Sequence, residues 1–209
     1  MPSAPSNFEV VSRASDLPIA AWQALQRVPT SANLILPILN KCVELDMAGR
    51  SPPGHLWIVI YSGPGRVALV LSCTDGYTGA YPIFIVDTQA IDDTQLTSFV
   101  HLSVLTLQRH IPIERVYSVF APIRIAQLFS RMWTQLTGVQ AEAQPYYDAK
   151  ISCLQWHDNL QQSATSSENG IIFEVGLATY VDIHPVARLF HAFASDSVRS
   201  LFILYLIKC

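Results

Sequence analysis

The chain is short of charge. Asp, Glu, Lys and Arg make up 14% of its 209 residues, where an average soluble domain carries roughly 25%. Thirteen basic against sixteen acidic residues give a net charge of −3, and no run of Lys or Arg occurs. That excludes a whole-chain basic footprint for nucleic acid. Cysteine is sparse too. Cys42, Cys73, Cys153 and Cys209 form no C-x-x-C and stand at no zinc-finger spacing from a histidine, so neither a metal knuckle nor a disulfide framework is implied. No apolar stretch reaches the roughly 18 residues of a membrane helix, and the longest, Leu201–Ile207, is far shorter. Residues 1–16 lack a basic segment followed by an apolar one. The expectation is therefore no signal peptide, free thiols and a cytoplasmic location.

Apolar side chains are plentiful. They make up 50% of the chain, enough to fill a core. Phe8–Val11 reads as a short strand, and Asp16 as the cap of a helix over Pro18–Arg27. A second helix fits Ser31–Met47, with Pro37 marking a kink or its true start. His55–Tyr61 and Arg66–Ser72 are rich in β-branched and aromatic residues and flank Ser62-Gly63-Pro64-Gly65, a hairpin pattern. Cys73–Ala80 reads as a polar connection. Tyr81–Val86 is a continuous apolar run, expected to be a central strand with Pro82 at its start.

Amphipathic helices are expected over Thr94–Gln108, started by Asp92-Asp93, and over Ala121–Thr137, ended by Gly138. Arg115–Phe120 reads as a strand between them, and Tyr146–Gln155 as another. Asn159–Gly170 has the composition of a linker. A strand at Ile171–Val175 and a helix over Pro185–Ala194, introduced by Asp182, follow. The segments around Phe8-Glu9-Val10 and Phe173-Glu174-Val175 echo one another, each reading strand, polar turn with Asp, then amphipathic helix.

Few residues suggest chemistry. Gly63-Pro64-Gly65 lacks the Gly-Lys-Ser/Thr of a phosphate loop and lies between two strands, so it reads as a hairpin turn. Neither G-x-S-x-G nor H-E-x-x-H occurs. His184 and His191 are seven residues apart near Asp182, a poor spacing for sharing one metal ion. His101 and His110 read as helix-surface or helix-end residues. Tyr77, Tyr81, Tyr117, Tyr146 and Tyr147 read as core aromatics rather than a pocket lining.

Leu177-Ala178-Thr179, Asp182-Ile183, Val186–Phe190 and Phe193–Val198 resemble the opening strand and first helix of a GNAT N-acetyltransferase domain. Phe8–Gln155, including Tyr117–Pro122 and Pro145–Lys150, resembles the N-terminal half of fungal GNAT-fold proteins of two-part build. The resemblance implies an α/β fold with a mixed, mostly antiparallel sheet flanked by helices. It implies a GNAT-like domain over residues 7–157, a linker over 158–170, the start of a second GNAT unit over 171–198 and an atypical hydrophobic tail over 199–209. It also implies the family's activity, acetyl transfer from acetyl-CoA to an amine. The family holds the coenzyme pyrophosphate on an R/Q-x-x-G-x-G/A turn between its fourth strand and the following helix. The matching place here, Asp87-Thr88-Gln89-Ala90-Ile91-Asp92-Asp93-Thr94, has no glycine and three carboxylates.

The first unit is therefore expected to be degenerate and to bind no acetyl-CoA. No catalytic, cofactor-binding or metal residue carries over. The alternative to an acetyltransferase is a non-catalytic module that binds a partner or a small molecule. No nucleic acid or membrane partner is expected. The second unit reads as truncated, with the apolar tail expected to drive self-association.

Overall fold

The computed structural model describes residues 8–76, 79–142, 165–166, 172–173 and 179–192. The chain divides into two units, Met1–Ile151 and Ser152–Cys209.

The first unit is built on β1 (Phe8–Val11), α1 (Ile19–Arg27), α2 (Ile35–Met47), β2 (Leu56–Gly63), β3 (Arg66–Cys73), the two-residue strands β4 (Asp75–Gly76) and β5 (Gly79–Ala80), β6 (Ile83–Asp87), α3 (Asp93–His110), β7 (Val119–Phe120) and α4 (Ile123–Thr137). Five strands form one sheet in the order β1-β2-β3-β6-β7. The first four are antiparallel, and β7 runs parallel to β6. β4 and β5 pair as a small hairpin outside this sheet.

The apolar runs of β2, β3 and β6 follow from helices on both faces. Ile58, Ile60, Leu69, Leu71, Ile83 and Ile85 point to one side, under Phe99 and Leu107 of α3 and Phe129 and Trp133 of α4. Trp57, Val59, Val70, Phe84 and Val86 point to the other, under Leu25 of α1 and Ile35 and Leu39 of α2. Each of these side chains contributes about 1.5–3 kcal/mol through its burial. The unit is thus α/β, with a mixed, mostly antiparallel sheet between two helical layers.

Local chemistry sets most boundaries. The β2–β3 loop is Pro64-Gly65, between the paired residues Gly63 and Arg66. Gly65 sits at φ 64°, the left-handed region that glycine enters without strain. Asp92 caps α3 by accepting a hydrogen bond from the Gln95 amide at 2.9 Å, as its position suggests. Gly138 ends α4.

Four expectations are corrected. Asp16 does not cap α1. It lies in a 3-10 turn, Ala14–Asp16, and Pro18 occupies the position before the helix. Pro18 disfavours helical backbone at Leu17, which is extended at ψ 133°. The second helix starts at Ile35 rather than Ser31, which puts Pro37 in the first turn, where its missing N–H costs nothing. The strand expected over Arg115–Phe120 shrinks to Val119–Phe120, because Ile113–Arg115 closes a 3-10 turn after Pro112. Cys73–Ala80 is not a plain connection, since it contains the β4–β5 hairpin.

In the second unit, β8 (Thr165–Ser166) pairs antiparallel with β9 (Ile172–Phe173), so the stretch read as a linker contributes a strand. Tyr180–Asp182 is a 3-10 turn closed by a reciprocal Thr179–Asp182 cap, and residues 183–192 are helical. The strand expected over Tyr146–Gln155 and the Leu201–Ile207 tail lie outside the described residues. No helix among the described residues is long and apolar enough to cross a membrane.

Candidate functional site

In an open sheet with parallel strands, ligands favour the crevice at the carboxyl ends of those strands. β6 and β7 are the parallel pair. They are joined only at Ile83–Val119 and Phe84–Phe120. Beyond that register β6 continues to Asp87 alongside β3, while β7 turns at Pro122 into α4. The Phe84 and Phe120 rings meet with centroids 5.8 Å apart.

The turn that follows β6 is tied back to the sheet. The Thr88 amide donates to the Ala68 carbonyl at 2.9 Å, and the Thr88 hydroxyl to the Val67 carbonyl at 2.7 Å. The Gln89 amide group donates to the Ser62 hydroxyl at 2.5 Å and accepts from Arg66 at 3.4 Å. A helix start offers free N–H groups and a positive dipole end to an anion. Here the Asp92 carboxylate already occupies that place. Asp93 pairs with Arg124 of α4. Two guanidinium groups, Arg66 and Arg124, thus stand against three carboxylates, Asp87, Asp92 and Asp93, around this turn. Such a charge balance opposes a pyrophosphate.

The opposite end of the same strand pair is polar and mostly buried. Arg115 donates to the Tyr81 carbonyl at 3.0 Å and to the Thr74 carbonyl at 2.6 Å. It also pairs with Asp75 at 3.0 Å. His55, 4% exposed, accepts a hydrogen bond at Nε2 from the Asp75 amide at 3.0 Å. Burial holds its pKa below the ordinary histidine value and Arg115 adds to this, against the pull of Asp75 and Asp46. Tyr117 donates to the Ala80 carbonyl at 2.5 Å.

Two other clusters carry ionisable groups. Asp46, at the end of α2, is 4% exposed and accepts from Ser51 and from the Ser15 amide. Burial raises its pKa, but these bonds and Arg13 outweigh burial and leave it below the ordinary carboxylate value. Asp46 thereby fastens the turn before α1 to the end of α2. Glu9, Ala20, Tyr61, Gly63 and Gly65 line a shallow cavity of about 230 Å³. Its one acidic side chain, Glu9, accepts from Tyr61 at 2.7 Å. Burial, then that bond, raises the Tyr61 pKa, so the phenol stays protonated and acts as a strut rather than a base.

The residues singled out from the sequence are scattered. Gly63-Pro64-Gly65 is the hairpin turn, as expected. His110 bonds the Thr106 carbonyl at 2.7 Å at the end of α3, and His101 is exposed on that helix. Asp182 is committed to Thr179. No group of His, Cys, Asp and Glu among the described residues is arranged to hold a metal ion. Tyr81 and Tyr117 flank the polar end of β6 and β7, while Tyr77, Tyr146 and Tyr147 lie outside the described residues. Burial and Asp46 push the Cys42 thiol up to about 11, and burial also raises Cys73. Both are protonated at neutral pH and are not nucleophiles.

Sequence reading missed the His55–Asp75–Arg115 network and the Glu9–Tyr61 pair. No motif spacing marks either one. No protein-family model, no curated protein and no solved structure matches the chain.

Proposed function

We propose that the first unit is a GNAT-like fold that lacks a working coenzyme site and serves as a non-catalytic binding or interaction module. The observation that carries this is the closed start of α3. In the resemblance, the turn after the fourth strand of the sheet presents backbone N–H groups to a pyrophosphate. β6 is the fourth strand of this sheet and α3 follows it. Yet its helix start is filled by the Asp92 carboxylate, and the side chains of Thr88 and Gln89 are bound back to the sheet. Only a turn that opens and sheds its own carboxylates would admit the coenzyme. If the family's activity, acetyl transfer from acetyl-CoA to an amine, is retained, this reading assigns it to a second unit and not to residues of the first.

Titration calorimetry with acetyl-CoA tests the reading on the folded chain. No saturable heat at micromolar affinity is expected. Micromolar binding would overturn the proposal and point to a pyrophosphate site built from other residues.

A further inference from the structure

The β4–β5 hairpin is held from two sides by different chemistry. On one side Arg115 binds the carbonyls of Thr74 and Tyr81, the two residues that flank the hairpin, and pairs with Asp75. The Tyr81 amide donates to the Thr74 carbonyl at 3.0 Å, which closes the base of the loop. Elsewhere the Tyr117 hydroxyl donates to the Ala80 carbonyl, and the Asp75 amide donates to His55 Nε2. An amide can only donate, so this nitrogen must be without a proton and the ring must be neutral, with its proton on Nδ1.

We propose that His55 is an acid-sensitive latch, whose protonation frees the Asp75 amide and loosens the β4–β5 hairpin while the rest of the first unit stays folded. A proton on Nε2 turns an acceptor toward an amide donor, and the bond is lost. The new cation also lies in a nearly closed site. The charged groups around it are Asp75 of β4, Asp46 of α2 and Arg115 before β7. The two carboxylates favour the cation, but Asp46 is engaged by Ser15 and Ser51, and Asp75 by Arg115. Burial and Arg115 prevail, so the neutral ring belongs to the closed hairpin.

The sign follows directly. A histidine with a depressed pKa in the closed form binds more protons once opened, so acid favours opening. The latch is fully engaged above the ordinary histidine value of about 6.5 and weakens as pH falls below it. Opening stays local because, among the described ties of this hairpin, the His55 bond alone depends on a group that titrates near neutral pH. Leu56, Trp57 and Ile58, which follow His55 in β2, are buried in the two cores.

The experiment is hydrogen exchange on the whole chain, corrected for intrinsic rates, at pH 7.5 and pH 5. Exchange at the amides of β4 and β5, Asp75 foremost, should rise about tenfold at the lower pH, the effect of losing one hydrogen bond of ordinary net strength. Amides of β2, β3 and α3 should change little. His55→Gln offers a carbonyl acceptor that does not titrate, so it should stay closed at both pH values. Nitrogen-15 NMR of the wild-type imidazole supplies a readout that needs no variant. It should show the Nδ1-protonated tautomer at pH 7.5 and a titration midpoint below that of a free histidine. A midpoint at or above the free value would overturn the proposal. So would an acid response that survives in a folded His55→Gln chain, or one spread evenly over the sheet.

Discussion

The β6–β7 pair ends in an exposed acidic turn on one side and a mostly buried polar network on the other, and the two ends are held in opposite ways. At the acidic end Thr88 and Gln89 are tied back to the β2–β3 hairpin, but the bonds that start α3 are short in sequence or open to water. Asp92 caps an amide three residues away, and the Asp93–Arg124 pair is 90% and 62% exposed. At the buried end Arg115 reaches back 34 and 41 residues and is only 16% exposed. Local bonds at an exposed end fix where a helix begins. Long-range bonds at a buried end fix how distant segments meet, and their loss leaves partners without water to replace them. In the proposed reading the acidic end sits where the coenzyme would bind, yet it is occupied by its own side chains. The buried end sits away from that place and holds the proton-sensitive group.

The largest effect should therefore come from the buried end. Arg115→Met keeps the apolar stem but removes the guanidinium. It takes the Arg115 donor from the Tyr81 carbonyl, leaves the Thr74 carbonyl only the Tyr81 amide, and leaves Asp75 without its counter-ion. Asp75 is 39% exposed, so water recovers part of the loss. About 2–3 kcal/mol of destabilisation is expected, a drop of roughly 5–10 °C in melting temperature for a chain of this size. Thermal melting by circular dichroism reads this out. A drop below about 2 °C would show that the buried end is no stronger than the exposed one.

The same contrast decides what could be read in the sequence. The Pro64-Gly65 loop, the Asp92 start of α3 and the Gly138 end of α4 were legible because each is set by residues within one turn. The α/β character was legible because β2, β3 and β6 are apolar on both faces. Arg115 was not legible as the clasp of Thr74 and Tyr81, since no spacing rule joins residues so far apart. It was instead read into a strand. His55 looked like the first residue of β2. Its role follows only from the chain returning through Asp75. Asp16 fails as a cap because Pro18 overrides it by local sterics, holding Leu17 extended. The glycine-free turn after β6 was visible from the start. That its carboxylate would close the helix end took the folded geometry.

A middle-sized effect is expected at the acidic end, from Asp92→Ala. Losing a side-chain cap costs about 1 kcal/mol, or roughly 2–4 °C in melting temperature. Asp92→Asn should recover most of this, because asparagine caps about as well. Faster exchange should appear at the Gln95 amide and stay within the first turn of α3. If the alanine variant also gained measurable acetyl-CoA affinity, the turn would be blocked by Asp92 alone, and the contrast between the two ends would narrow.

The smallest effect should come from the most visible charge pair, Arg124 with Asp93. Both side chains are mainly in water, where an ion pair typically contributes 0–1 kcal/mol. Removing Asp93 also removes a negative charge from the first turn of α3, which is favourable there by about 0.3–1 kcal/mol in its own right. A single Asp93→Ala measurement would mix the two effects. The cycle of Arg124→Ala, Asp93→Ala and the double variant separates them. The coupling should be below about 0.5 kcal/mol, with Asp93→Ala the costlier single change. Salt gives a second reading, because near 1 M the screening length falls to about 3 Å and the remaining coupling should vanish. A salt-resistant coupling above about 1 kcal/mol would exceed what exposed pairs contribute. It would mean that Arg124 and Asp93 clamp the starts of α3 and α4 together, making the acidic end a second structural clasp.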